Sequence, residues 1–161
     1  MRIDVTLKAT FWNKSPVITI KVNNTTVEVK DFIDNQEKNI TFDAKLKDGQ
    51  NELIIERINK IPDDTLVEDG RLVKDSIVEI KEILVGRYVI GRAGEYPFLL
   101  DKAEFFPEYP EPWYSEQKEK GETPPVSYKH CQTLHHNGKW KLKFESPVDR
   151  WFFEYYCGKR K

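Results

Sequence analysis

Five carboxylates crowd residues 59–76, NKIPDDTLVEDGRLVKDS: Asp63, Asp64, Glu68, Asp69 and Asp75. Carboxylates and loop carbonyls are the hard oxygen donors that calcium prefers, and its loose coordination can be built on an irregular loop. Asp63, Asp64, Asp69 and Asp75 are therefore the candidate metal ligands, with calcium as the ion they would take. Their spacing matches no EF-hand pattern. A solvated acidic turn is the competing reading, since aspartates in turns bond their own backbone.

A second set, His130, Cys131, His135 and His136, carries zinc-type donors, with Cys131 and His135 four apart. Structural zinc sites space their ligands in pairs such as CxxC or HxxxH, and this stretch has neither. Packed or surface histidines are the simpler reading. A third set, Tyr109, Trp113 and Tyr114 in EYPEPWY, offers flat aromatic faces to a sugar ring or a protein partner. The alternative for most of these rings is that they cover the protein's own core. No GxSxG elbow and no glycine-rich phosphate loop occurs. A pair of glycosidase carboxylates is set by the fold rather than by sequence spacing.

These groups need a scaffold, and 161 residues suffice for one domain with a core, or a smaller domain with a large extension. A net charge of −1 gives no field for nucleic acid or an acidic membrane. No apolar run reaches transmembrane length, and the start MRIDVTLKAT reads as a strand and not as a signal peptide. Two cysteines, Cys131 and Cys157, are too few for a disulfide framework, so reduced thiols are expected.

Residues 3–11 alternate apolar and polar, as a half-buried antiparallel strand does. Ile18, Ile20 and Val22, then Asn23-Asn24, then Val27 and Val29 read as a hairpin over 17–30, followed by a loop at 31–38. Residues 39–46 and 51–58 are two more strands about Asp48-Gly49, the latter burying either Leu53 and Ile55 or Ile54 and Ile58. Residues 77–85, IVEIKEILV, fit a strand by composition, although Ile77, Ile80 and Leu84 also have helical spacing; the strand reading is preferred. Residues 87–91 extend the sheet. Short strands with turns at regular intervals point to a β-sandwich over 1–91.

From 92 to 137 the prolines, among them Pro97, Pro107, Pro110 and Pro112, alternate with rings, among them Tyr96 and Phe98. An extended segment packed on the sandwich or on a partner is expected there. Residues 138–161 return to order. After the turn Asn137-Gly138, Trp140, Leu142 and Phe144 alternate with lysines in a strand. Ser146 as N-cap, Pro147 at the first helical position and Val148, Trp151, Phe152 and Tyr155 as an apolar stripe then predict a helix ending near Gly158.

The layout of the first half, with an acidic loop between NELIIERINK and VKDSIVEIKEILV, resembles the small calcium-dependent xylan-binding type of carbohydrate-binding module. That resemblance implies a jelly-roll type antiparallel β-sandwich, with Asp63, Asp64 and Asp75 at the metal loop, Asp69 beside them, and calcium taking sugar hydroxyls as further ligands. The aromatic second half has no counterpart in such modules. Its motifs YPEPWYSEQKE, HHNGKWKLKFESP and WFFEYY resemble uncharacterised small proteins of marine tailed bacteriophages. Together these imply a non-catalytic, virion-associated decoration protein of capsid or tail, made in the host cytoplasm, with other virion proteins as partners. A calcium-dependent module that binds host surface polysaccharide is the first alternative, and a small glycan-processing enzyme the second. Neither nucleic-acid binding nor membrane insertion is expected.

Overall fold

A computed structural model of the chain describes residues 1–92 and 102–158. The first half supplies β1 (Arg2–Thr10), β2 (Ile18–Val22), β3 (Thr25–Val29), β4 (Gln36–Asp43), β5 (Gly49–Arg57), the small hairpin β6 (Leu66–Glu68) and β7 (Arg71–Lys74), β8 (Ile77–Val85) and β9 (Tyr88–Arg92). The second supplies β10 (Ala103–Glu108), helix α1 (Trp113–Glu119), β11 (Tyr128–Lys129), β12 (Thr133–Leu134), β13 (Asn137–Ser146) and helix α2 (Val148–Tyr156). One sheet has the order β12-β8-β1-β4, with β9 also on β8; the other runs β11-β10-β13-β5-β2-β3. Every pairing between the described strands is antiparallel. The two sheets pack as a sandwich.

Alternation explains the packing. Ile3, Val5, Leu7 and Ala9 of β1 and Ile18, Ile20 and Val22 of β2 are fully enclosed, as are Trp140 and Leu142 of β13, while their neighbours along each strand face outward. In β5 it is Leu53 and Ile55 that turn inward. The alternation of β8 changes phase part-way along the strand. Leu7 pairs with Ile80 but Thr6 pairs with Glu82, so a bulge at Lys81 shifts the parity of the strand. Val78 and Ile80 face the core before it, Ile83 and Val85 after it.

The sequence expectations need correction in four places. The loop expected at 31–38 ends early, because β4 begins at Gln36, whose partner is Ala9. Asn137-Gly138 is the start of β13 and not a turn. Gly138 sits at φ 140°, and a Cβ there would lie 2.2 Å from the Phe106 carbonyl oxygen, so glycine is what lets β10 approach. Ser146 does not cap α2: it still pairs with Gly49 in the ladder, and the extended Pro147 takes the N-cap position. The proline-rich segment is also more regular than expected. Pro107 lies in β10 opposite Gly138, and Pro112 immediately precedes α1, where a missing N–H costs little.

The consequence is that β13 lies between β5 and β10, so the aromatic half contributes three strands to one sheet and one to the other. Helix α2 follows the predicted stripe, with Val148 and Trp151 buried and Phe152 and Tyr155 packed against the core. Gly158, at φ 70°, follows it. The expectations for Tyr96, Pro97 and Phe98 lie outside the described residues.

Candidate functional site

Where the loop after β5 faces the segment leading into α1, a groove of about 790 Å³ opens on the surface. One wall is the loop at Lys60–Thr65 with Asp75. The opposite wall is Glu108 and the run Pro110 to Trp113, continued by Glu116. Phe105, Cys131, His135 and His136 complete the lining. Thus the acidic loop and the aromatic segment, far apart in sequence, meet across one concavity.

Local chemistry fixes each wall. Residues Pro62–Asp64 make a single 3₁₀ turn, in which the Asp64 carboxylate accepts from the Ile61 N–H at 2.8 Å. The same carboxylate accepts from Asn13 Nδ2 and lies 3.7 Å from Lys14 Nζ, while the Asp64 carbonyl accepts from the Trp12 indole. Asp75 Oδ1 accepts from Lys60 Nζ at 2.7 Å and from Thr65 Oγ1 and the Ser76 N–H, both at 2.8 Å. Asn137 then ties the loop to the start of β13: its Oδ1 accepts from the Lys60 N–H and its Nδ2 donates to the Lys60 carbonyl. Lys60 Nζ also donates to the His135 carbonyl.

Beneath this network lies Arg57. Counting by two from Leu53 and Ile55 puts it on the inward face at the end of β5, and it is 1% exposed. Its guanidinium donates to the Ser76 carbonyl at 2.6 Å, to the Ser76 hydroxyl, and more weakly to the Leu134 carbonyl at 3.4 Å, while Nε has no partner among the described residues. Desolvation by burial draws its pKa down to about 10, against the favourable charges of Asp64 and Asp75. Burial likewise lowers Lys60 despite its pairing with Asp75. Asp75 is desolvated too, but the hydrogen bonds from Lys60, Ser76 and Thr65 outweigh that and hold its pKa down.

The aromatic wall is ordered by its own contacts. Tyr109 stacks on Tyr114 at 5.5 Å and 4°, and lies 5.5 Å from Trp113. Its hydroxyl donates to the Pro125 carbonyl at 2.5 Å. His136 packs edge-on against Tyr109 at 5.2 Å and lies 5.8 Å from Trp113. Desolvation, with Lys60 nearby, pushes the His136 pKa down to about 4, so the imidazole is neutral at physiological pH. Trp113 remains 37% exposed at the lip of the groove.

Comparison with protein-family models, curated proteins and solved structures gives no match. The site must therefore be read from its own geometry. Of the sequence candidates, Asp75 and Trp113 line the groove, Tyr109 packs against Trp113, Tyr114 stacks on Tyr109, and Asp64 supports the loop. Asp63 and Asp69 are exposed, and Asp69 occupies the tip of the β6–β7 hairpin at φ 52°. Among the described residues no three His, Cys, Asp or Glu side chains are grouped to hold a metal ion. The donor set does not fit calcium, because Asp64 and Asp75 already accept from backbone and side-chain donors and each faces a lysine. The zinc-type set is likewise not assembled: the Cys131 thiol donates to the Thr133 carbonyl, and burial pushes its pKa up. Cys131 and Cys157 are both free thiols.

Sequence reasoning missed Arg57, Lys60, Asn137 and the acidic trio Glu108, Glu111 and Glu116. Only Arg57 left a signal, as the charged residue in phase with Asn51, Leu53 and Ile55.

Proposed function

We propose that the protein is a non-catalytic β-sandwich accessory protein of a tailed-phage particle, and that it engages a surface glycan through the groove beside Trp113. The observation that carries the binding role is a half-exposed indole at the lip of a concave site, next to the neutral imidazole of His136 and carboxylates. Sugar rings present flat C–H faces and hydroxyl edges. An aromatic face with flanking acceptors and donors suits both, as in the mixed lining of most small-ligand clefts.

A binding role in preference to turnover is supported by the pairing of Lys60 with Asp75 and the packing of His136 between two rings, which leave these groups engaged with the protein itself. Placement on a virion draws on the resemblance of the aromatic half to phage proteins. Calcium has no part in this reading.

Two measurements test it. Mass spectrometry of purified particles should find the protein, and its absence there would remove the virion placement. A glycan array probed with the wild-type protein and with Trp113→Ala should give binding that the substitution weakens at least tenfold. Turnover of a bound polysaccharide would replace the binding role with an enzymatic one.

A further inference from the structure

The charges around the groove are unevenly placed. On the loop side the positive groups Lys60 and Arg57 are matched by Asp75 and Asp64. On the α1 side Glu108, Glu111 and Glu116 all line the groove, all three are exposed, and among the described residues no lysine or arginine on that side lines it. Glu111 Oε2 accepts from the neutral Ser115 Oγ, and among the described residues no cation pairs with it. The one nearby cation of the helix, Lys118, lies over the Tyr114 ring at 4.5 Å and is not part of the lining. His136 adds no positive charge, since desolvation pushes its pKa down to about 4, and desolvation lowers that of His135 as well.

Resting on the glycan-binding reading above, we propose that the groove selects an amino sugar chain: a glycan whose protonated amines face Glu108, Glu111 and Glu116 while one ring lies on Trp113. Carboxylates accept from an ammonium group through charge-assisted hydrogen bonds, which are shorter and about twice as strong as neutral ones. The same trio repels uronates, sulfated sugars and phosphorylated sugars. Discrimination therefore has an attractive part and a repulsive part, both on one wall.

The experiment is calorimetric titration of the full chain, at mildly acidic pH, with three hexasaccharides: glucosamine, N-acetylglucosamine and galacturonic acid. Glucosamine hexamer should bind at least tenfold more tightly than its acetylated form, with the uronate weakest. The preference should shrink at about 1 M salt, where the Debye length falls to roughly 3 Å. In the triple variant Glu108→Gln, Glu111→Gln, Glu116→Gln the preference should vanish while binding of the acetylated hexamer persists. Thermal melts confirm that this variant folds, and Glu108→Gln alone, which should reduce the preference severalfold, serves if it does not. Equal binding of the three sugars, or a preference that survives the triple variant, overturns the amine assignment and leaves glycan binding standing. If no hexasaccharide binds the wild type, the glycan reading falls and this inference with it. An oligolysine peptide that binds in place of the sugars, and does so through the trio, would make the occupant a cationic peptide and overturn the sugar class.

Discussion

Replacing Arg57 by methionine tests whether a buried cation holds the loop wall of the groove. Methionine nearly matches the aliphatic stem, so the change isolates the guanidinium. In its place the Ser76 carbonyl and hydroxyl lose donors at short range, and the Leu134 carbonyl loses a weaker one at 3.4 Å. Hydrogen bonds to a charged group contribute about 1.5–3 kcal/mol each, so the two to Ser76 amount to roughly 3–6 kcal/mol. Against that, the variant no longer buries a cation whose Nε is unpartnered, which returns about 1–3 kcal/mol. The two ranges leave a net loss of about 0–5 kcal/mol, centred on roughly 2–3 kcal/mol. For a chain of this length that lowers Tm by roughly 4–12 °C. Calorimetric melting gives the magnitude, and amide exchange shows where it acts: protection should fall first in Lys60–Ser76. A variant as stable as the wild type, or more so, would refute the reasoning. It would show that the buried arginine is a net burden, as buried ion pairs are in some proteins, and that packing alone positions the loop.

Gly138→Ala should be among the most damaging single changes, because the new Cβ would meet the backbone at Phe106 and Pro107 and neither can swing aside; a loss of about 3 kcal/mol or more by urea denaturation is expected. For His136, the folded pKa near 4 lies below the ordinary value of about 6.5, so the fold favours the neutral ring. The stability from this group is complete above pH ~6.5 and drains away as the pH falls toward about 4. Solvent screening at the groove limits it to about 1–2 kcal/mol. Urea midpoints at the two ends of that window should therefore converge in His136→Phe relative to wild type; an equal acid sensitivity in both proteins would show that the ring titrates normally. Excess EDTA should leave Tm unmoved, whereas a calcium site held at a hundred times its dissociation constant would add roughly 2.7 kcal/mol, visible as a drop of several degrees on chelation and recovery on calcium addition.

Period-two alternation was enough to identify the longer strands of the first half and β13, though not β10 to β12, because a side chain's face in a sheet depends only on its parity and the core accepts one kind. The stripe Val148, Trp151, Phe152 and Tyr155 was legible as a helix for the corresponding reason at period 3.6. Residues 77–85 carried both signals, and they form a strand: the inward face passes from Val78 and Ile80 to Ile83 and Val85 across the bulge opposite Thr6 and Leu7, which is not the stripe Ile77, Ile80 and Leu84.

What parity could not supply is which strands become neighbours. The insertion of β13 between β5 and β10 brings Asn137 to Lys60 and places the aromatic wall across from the acidic loop, a juxtaposition of residues about 50 and more apart in the chain. The prolines of 103–112 suggested an irregular segment, yet Gly138 opposite Pro107 made room for a strand. The same packing decided the roles of the aspartates. By composition Asp64 and Asp75 suit a hard cation. In the folded chain Lys14 and Lys60 reach them first, and Arg57, carried inward by the register of β5, adds the charge that fixes them as parts of a scaffold. Local pattern thus set the elements, while long-range pairing set the chemistry, because ion pairs and clefts form between segments whose approach no local periodicity encodes.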